Sequence, residues 1–179
     1  MSIYSKLTDF GTKFIKPHIL FKHGFNLSPM YRRSTARITQ VSPDLRKVKI
    51  KLRISYKNRN YMNSIFGGSM FSAVDPIPMV QLINILGKEY VVWDKSAEIA
   101  FKRPAKENLF AEFTYSDSEL ENIKTLIAQN QETEFPKITA LTNADGSIIF
   151  AEVTKTIYVA NKAYYKEKRA LAKTKRKQE

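Results

Sequence analysis

The segment GSMFSAVDPIPMVQLINIL, residues 68–86, is the part of the sequence from which the fold can be inferred. It is apolar on nearly every side, and as one helix it would be about 28 Å long. Gly87 is placed to cap its C-terminus. Because a helix that is apolar all round must be covered on all sides, we expect this one at the centre of the protein. Asp75, Pro76 and Pro78 interrupt the pattern and predict a kink or local break at Asp75, which frees backbone carbonyls.

The clearest strand signal is VKIKLRISY, residues 48–56, in which apolar and polar side chains alternate. Such alternation is typical of antiparallel sheets with one buried face and one solvated face. The turn signal NADG predicts a hairpin at residues 143–146. Further strands are predicted at residues 33–41, 90–103, 109–115, 137–142 and 147–160. An antiparallel sheet of about six strands wrapped around the long central helix would cover that helix. The sequence therefore predicts an α+β hot-dog fold.

The two ends of the chain are basic and its middle is slightly acidic. The net charge of the 179 residues is +13. Residues 1–57 carry 13 Lys and Arg against 2 acidic residues, residues 58–161 carry 9 against 13, and residues 162–179 carry 8 against 2. Basic ends suit an anionic partner such as nucleic acid, a membrane surface or a phosphorylated ligand, although a solvated surface explains them equally well.

We expect three parts in the chain. Residues 1–30 form an N-terminal helical segment that packs on the domain, residues 31–161 form the hot-dog domain, and residues 162–179 form a basic tail. Within the first part, residues 3–15 have the apolar spacing of an amphipathic helix, which Pro17 would end. The last ten residues of the tail have few apolar positions and are expected to be disordered.

The chain has no cysteine, which excludes disulfides, thiolate nucleophiles and cysteine zinc sites. The first 20 residues contain neither a compact apolar stretch nor a small-residue cleavage site, so they do not resemble a signal peptide. Residues 65–86 contain Asp75 and several polar residues, which makes them a poor membrane span. We therefore expect a cytoplasmic protein.

Around the predicted start of the central helix, polar residues and glycines occur at a characteristic spacing along the sequence. Asn60 lies six residues before Phe66-Gly67-Gly68, and Asp75 lies nine residues after Phe66. This pattern resembles the hot-dog thioesterases of the phenylacetate-pathway type, which have His at the position of Phe66. The segments FGGSMFSAVDP, LGKEYVVWDK and IAFKRP resemble the thioesterase-like family DUF4442 still more closely. The resemblance covers roughly residues 30–160.

The resemblance implies hydrolysis of an acyl-CoA thioester at the N-terminus of the central helix. The amides of Gly67 and Gly68 would bind the carbonyl oxygen, since free N–H groups at a helix N-terminus stabilise developing negative charge. Asp75 would act as general base or nucleophile, and in related enzymes it comes from the partner subunit. Asn60 would hold the carbonyl group or the attacking water. These four are the expected catalytic residues.

The same resemblance implies substrate contacts and assembly. Phe66, Asn63 and Ser69 are expected to contact the substrate, and Lys102, Arg103 or the basic ends would meet the phosphates of an acyl-CoA or another acyl thioester. No cofactor and no metal are expected. Because a single hot-dog unit exposes sheet edges, we expect a homodimer or a homotetramer.

Each candidate residue also has a purely structural interpretation. Burial on the helix would raise the pKa of Asp75 and suit it to acid–base chemistry, but Asp before Pro is also a good helix N-cap. The two glycines could simply permit a close helix–sheet contact. We interpret Trp93-Asp94-Lys95 as a strand with a surface ion pair rather than as a second catalytic carboxylate, and Glu98 as another strand-surface group.

Two other functions stay open. A hot-dog protein without the usual His could bind an acyl chain or acyl-CoA without turnover. A basic adaptor for nucleic acid or membranes is the third possibility, in which weak membrane-surface contact would come from the tail. No nucleic-acid-binding motif accompanies the basic ends, so nucleic acid is the least favoured partner. His18 and His23, the only histidines, lie in a predicted loop without the serine motif of a hydrolase triad.

Overall fold

A computed structural model describes residues 15–175 of the chain. The helices in this range are α1 (Pro17–Leu27), α2 (Pro29–Arg32), α3 (Gly67–Val74), α4 (Pro76–Leu86), α5 (Asp117–Asn130) and α6 (Lys162–Lys175). The strands are β1 (Ala36–Val41), β2 (Lys47–Leu52), β3 (Tyr90–Phe101), β4 (Leu109–Thr114), β5 (Glu132–Thr142) and β6 (Ile149–Asn161). The predicted helix at residues 3–15 falls almost entirely outside the described residues.

The strands form one antiparallel sheet in the order β1-β2-β4-β5-β6-β3. The NADG turn joins β5 to β6 as predicted, with Gly146 at a φ of 78°. Helices α3 and α4 pack against the inner face, where their apolar side chains join those of β2, β4 and β6 in one core. The α+β hot-dog fold, with six strands around a central helix, is thereby confirmed.

Strand β6 shows why the sheet has a distinct inner face. Ala151, Val153, Ile157 and Val159 are fully buried on the side that faces the central helix. The intervening Glu152, Thr154 and Thr156 are only partly buried, as expected when successive side chains of a strand point to opposite faces. The inner face also contains Lys155, a charged residue that is only 1% exposed.

Helix α5 covers the far end of the core. Strands β4 and β5 are joined in the described structure by a single residue pair, Phe110 with Thr142. Helix α5 packs on β5 and β6, and its apolar side chains build a second cluster with α4 and β6. The members of this cluster from α5 are Leu120, Ile123 and Ile127.

The central helix is interrupted at Asp75, between α3 and α4, as the prolines predicted. Asp75 keeps helical dihedral angles (φ −44°, ψ −54°), so the direction of the chain is largely maintained. Two buried hydroxyls donate to carbonyls beside the break. Tyr31 donates to Ala73 O at 3.0 Å, and Tyr115 donates to Pro78 O at 3.0 Å.

By length and composition, residues Gly67–Leu86 would suffice to cross a membrane, with a mean hydropathy of 1.3. In the structure these residues form the core helix, which packs on the sheet with one side, and 39% of the 18-residue stretch with this hydropathy is buried. The expected cover on all sides is therefore not present within a single chain, and part of the apolar surface of the helix stays exposed. The helix ends at Leu86, where Gly87 has a φ of 83° and donates its N–H to Ile83 O. The predicted cap is confirmed.

Pro17 begins a helix, whereas the helix that it was predicted to end, at residues 3–15, lies almost entirely outside the described residues. Pro17 occupies the first position of α1, where the fixed φ of proline suits a helix and its missing N–H costs nothing. His18 and His23 therefore lie on a helix and not in a loop. Phe21 of the same helix is buried in the core, so α1 packs on the sheet.

Two further boundaries differ from the predictions. Strand β2 ends at Leu52, because the buried Asn58 binds the backbone of Arg53 and Ser55 and turns the chain. The tail is helical through Lys175, so the expected disorder of the last ten residues is wrong for residues 170–175. The apolar and charged contacts of α6 with the sheet supply the stability that its sequence alone did not indicate.

Candidate functional site

Asn60 builds the turn that leads into α3. Its Oδ1 accepts hydrogen bonds from the N–H groups of Met62 and Ser64, at 2.9 and 3.1 Å, and from the Ser64 hydroxyl at 3.1 Å. Asn63 completes the turn with a φ of 59° in the left-handed region. The Oδ1 atom of Asn60 is thus committed to the turn, and its side-chain amide nitrogen is the group that could donate to a ligand.

Two phenylalanine rings lie over the glycines at the start of α3. A Cβ atom on Gly67 would lie 2.6 Å from Cζ of Phe101, and one on Gly68 would lie 2.3 Å from Cε1 of Phe66. Any side chain at either position would displace a ring, which explains the two glycines structurally. Phe66 and Phe101 nevertheless remain 58% and 56% exposed.

The helix N-terminus also presents hydrogen-bond donors. The N–H groups of Gly67 and Gly68 have no acceptor within residues 15–175, whereas the N–H groups of Ser69 and Met70 bind Phe66 O. Free N–H groups at this end carry the positive end of the helix dipole. The site therefore combines two polar donors with an apolar, partly exposed rim.

The remaining predicted substrate contacts are separated in space. Ser69 is buried in the first turn of α3. Lys102 forms an ion pair with Glu152 at 2.7 Å, on the face of the sheet opposite to the central helix. Arg103 is exposed just beyond β3. The structure brings Phe66, Gly67, Gly68 and Ser69 together, but it does not place Lys102 beside Asp75.

Asp75 does not cap α4, so the structural interpretation proposed for it fails. Its side chain makes no capping hydrogen bond, and its backbone is helical rather than extended. Its Oδ1 accepts instead a hydrogen bond from Lys155 Nζ at 2.7 Å. The Asp75 side chain is 42% exposed, so the carboxylate is less buried than the apolar helix predicted.

Lys155 is the centre of a charged cluster that the sequence did not reveal to us. Its ammonium donates to Asp75 O at 2.5 Å, to Asp75 Oδ1 at 2.7 Å and to Asp94 Oδ2 at 2.6 Å. The signal was nevertheless present in β6. Position 155 belongs to the apolar series of Val153 and Ile157, and a lone lysine in such a series requires a buried anionic partner.

Asp94 has a mixed environment. Its side chain is 24% exposed, and its Oδ1 atom is buried with no hydrogen-bond partner in the described structure. Burial raises the pKa of Asp94, Lys155 opposes this effect through its hydrogen bond and charge, and the nearby Asp75 raises the pKa further. Asp94 therefore holds a proton more readily than an ordinary aspartate.

A β-bulge places Asp94 on the inner face. Asp94 is paired with Ile157 and Ser96 with Thr156, so Lys95 is an extra residue in β3. Lys95 forms an exposed ion pair with Glu134 at 2.6 Å. Our prediction of a surface ion pair in this strand is confirmed for Lys95, but Asp94 turns inward and joins Asp75.

The two halves of the candidate site lie far apart within one chain. Gly68 and Asp75 are seven residues apart, which is about 10 Å along a helix. A carbonyl group bound by the Gly67 and Gly68 amides would therefore lie beyond the reach of Asp75 in the same chain. Within residues 15–175, no group of three or more His, Asp or Glu side chains is arranged to hold a metal ion.

The fold places the chain among hot-dog proteins. The chain belongs to the family described as "Domain of unknown function (DUF4442)", which matches residues 18–159. No curated protein matches the chain.

Solved structures share the fold. A probable thioesterase from Pseudomonas aeruginosa is 20% identical, with a TM-score of 0.70, over 81% of this chain and 96% of that one. A thioesterase from Haemophilus influenzae is 10% identical, with a TM-score of 0.56, over 80% and 90% of the two chains. Thioesterase superfamily member 2 of Mus musculus is 13% identical, with a TM-score of 0.56, over 79% and 96%.

Proposed function

We propose that the protein hydrolyses acyl thioesters, with acyl-CoA as the substrate class. One observation carries the proposal: the central helix presents two free amide donors at its N-terminus and an ion-paired, partly exposed carboxylate, Asp75, at its interruption. The first group suits the oxygen of a thioester carbonyl as negative charge develops on it. The second suits the activation of water.

The chemistry divides between these two groups. The carbonyl oxygen binds the amides of Gly67 and Gly68. Asp75 takes a proton from a water molecule whose oxygen forms a bond to the carbonyl carbon. The carbon–sulfur bond then breaks, and the thiolate leaves as a thiol after taking up that proton. If Asp75 attacks directly, the same products follow by hydrolysis of a mixed anhydride.

We further propose that two copies of the chain complete the site. Because Asp75 lies about 10 Å along the helix from Gly68, the carbonyl bound at one helix requires the carboxylate of a second copy. Strand β3 is an edge strand of the sheet and is available for such pairing. Light scattering that shows a pure monomer at the assay concentration would contradict this shared site.

The substrate enters beside Phe66 and Phe101, whose exposed rings suit an acyl chain. Arg103 is a better candidate than Lys102 for the phosphates, because Arg103 is exposed and Lys102 is neutralised by Glu152 on the outer face. Salt dependence of KM, with kcat unchanged, is the expected sign of such phosphate contacts.

The decisive experiment measures thiol release from a panel of acyl-CoA substrates. In Asp75→Asn we expect kcat to fall by about 10²-fold or more, since general-base groups contribute on this scale. Glu121→Gln, which replaces an exposed carboxylate on α5, is the matched control and should keep the wild-type rate. Equal rates in wild type and Asp75→Asn would remove Asp75 from the mechanism.

Phe66 favours a second function, the binding of an acyl chain without turnover. Its ring covers Gly68 at the position where related thioesterases have His, and it adds apolar surface in place of a polar group. This function predicts that acyl-CoA raises the unfolding temperature without release of thiol. It also predicts that Asp75→Asn leaves the affinity for the ligand unchanged.

A further inference from the structure

The ammonium of Lys155 has no donor left for a ligand. A lysine ammonium has three N–H donors, and Lys155 directs its three hydrogen bonds to Asp75 O, Asp75 Oδ1 and Asp94 Oδ2. Its side chain is 1% exposed. Lys155 is thus built to hold other groups in place rather than to touch a substrate.

Packing alone does not account for a lysine at this position. The flanking residues of the inner face, Val153 and Ile157, are fully buried and apolar. Burial of an ammonium is costly unless anions and hydrogen bonds compensate for its lost hydration. The compensation here comes from two different elements, the helix interruption at Asp75 and the edge strand β3 at Asp94.

Strand β3 departs from regular pairing next to Asp94, the residue that it supplies to the ammonium of Lys155. The bulge at Lys95 puts both Asp94 and Ala97 on the inner face, opposite Ile157 and Lys155 respectively. Without the extra residue, regular alternation from Ala97 would direct Asp94 to the outer face. The bulge therefore has a specific consequence, the second carboxylate on the ammonium.

The contacts of Lys155 also leave one oxygen of Asp75 uncommitted. Oδ1 is bound to the ammonium, whereas the side chain as a whole remains 42% exposed. The bond from the same ammonium to Asp75 O fixes the backbone at the helix interruption. One cation thus restrains both the main chain and the side chain of the residue assigned to activate water.

Resting on the proposed function, we infer that Lys155 is a positioning residue that locks Oδ1 and the backbone carbonyl of Asp75, and that Asp94 anchors the ammonium of Lys155. Oδ2 of Asp75 is then the oxygen that acts on water or on the thioester. Asp94 does not act on the substrate. It shares the ammonium of Lys155 with Asp75, so the contacts of Lys155 are divided between the two carboxylates.

The neighbouring charges belong to different sets of contacts. On β5, Lys137 is the residue opposite Lys155 in the sheet. Its ammonium binds Glu119 at 2.7 Å and Thr114 O at 2.5 Å, and it lies 4.0 Å from the ring centre of Tyr115. Burial of Tyr115 raises its pKa, so this phenol stays neutral in the working range of the enzyme.

The first test is the pH dependence of kcat/KM for thiol release. Lys155→Met removes the cation and leaves two carboxylates together. The acid limb, which is the fall of kcat/KM toward low pH, should therefore move to higher pH. The value of kcat should fall about 10-fold or more, with KM little changed. Asp94→Asn leaves the whole cation to Asp75, so the acid limb should move to lower pH. Lys155→Arg keeps the charge and should restore part of kcat.

Lys137→Met is the matched control, since it removes a largely buried lysine from the adjacent strand without touching Asp75. It should lower stability and leave the acid limb where it is. A Lys155→Met enzyme with the kcat and acid limb of the wild type would overturn the inference. The inference is also overturned if Lys155→Met and Asp94→Asn move the acid limb in the same direction. A merely structural role of Lys155 gives no reason for the two variants to move the acid limb in opposite directions.

The second test needs no turnover. Urea unfolding of Asp75→Asn, Lys155→Met and the double variant forms a mutant cycle. We expect the double variant to lose less stability than the two single losses combined, because each single change leaves the remaining charge with one partner fewer. Additive losses would overturn the inference. If the wild type hydrolyses no thioester, the proposed function fails, and this cycle still decides whether Lys155 locks Asp75.

A second variant tests the inference if Lys155→Met does not fold. Lys155→Met/Asp94→Leu removes the cation with its anchor and replaces a buried charge pair by apolar groups, a change that proteins tolerate. It keeps Asp75 in place. We expect this variant to fold and to lose kcat as Lys155→Met would, and full activity would overturn the inference.

Discussion

Replacement of Tyr31 by Phe tests how the helix interruption is stabilised. Tyr31 lies on α2 with a fully buried ring, and its hydroxyl donates to Ala73 O at 3.0 Å, two residues before Asp75. Removal of this bond leaves a buried carbonyl with one partner fewer. Near pH 7, we expect Tyr31→Phe to reduce the free energy of unfolding by about 1 to 1.5 kcal/mol.

The same variant should respond to pH with a predictable sign. Burial raises the pKa of Tyr31 far above its ordinary value. The unfolded chain therefore ionises at about pH 10 while the folded chain does not. The stability that Tyr31 contributes is fully present below pH 10 and is lost as the pH rises further. At pH 11 the loss is about 1.4 kcal/mol, which closes the gap between wild type and Tyr31→Phe.

The assay is urea unfolding followed by circular dichroism at pH 7, 9, 10 and 11. Tyr61→Phe is the control, because the Tyr61 side chain is fully exposed to solvent. It should match the wild type at every pH. A difference between wild type and Tyr31→Phe that stays constant from pH 7 to pH 11 would refute the assignment of a buried, neutral phenol.

Two further predictions concern glycines and the tail. Gly24→Ala lies within α1 with open space around a new Cβ, so it should raise the free energy of unfolding by about 0.5 to 1 kcal/mol. Gly87→Ala, at a φ of 83°, should lower the free energy of unfolding by about 1 kcal/mol. Urea unfolding in which both variants change stability in the same direction would contradict this. Lys168 binds Glu132 at 2.6 Å and holds the pKa of that carboxyl below its usual range. The attachment of α6 is therefore present above the ordinary pKa of Glu132 and is lost as the pH falls through the lowered value. In the wild type, the Cα chemical shifts of residues 162–175 should lose helical character over that pH range. In Glu132→Gln the loss should be present already at pH 7. Chemical shifts that do not depend on pH in either protein would refute this attachment of α6.

Much of the fold could be predicted because its signals are local. The apolar surface of residues 68–86 indicates a buried helix, and the alternation in β6 indicates one inner face. Element boundaries were harder to predict. Pro17 is compatible with both the end of one helix and the start of another, and only the packing of Phe21 on the core shows that a helix starts there. The end of β2 depends on the side chain of Asn58, which binds across the turn.

In the candidate site, too, local sequence patterns indicated some features and only the structure revealed others. The spacing of Gly67, Gly68 and Asp75 follows from a single helix, so the sequence indicated both the free amides and the carboxylate. The rings of Phe66 and Phe101 meet those glycines from two different elements. No spacing rule relates position 101 to position 67, and so the aromatic rim became visible only in the structure.

By itself, the sequence determined that this protein has an apolar, interrupted helix packed on an antiparallel sheet, because the periodicity of neighbouring residues indicates which faces leave water. Only the tertiary structure decided what surrounds Asp75. Lys155 is 80 residues from Asp75 and 61 residues from Asp94. Their meeting depends on the strand order that places β3 beside β6 and on the bulge at Lys95, and neither is encoded in a local pattern. The physical reason is that a buried charge selects its partners through space, by distance and desolvation, and not by separation along the chain.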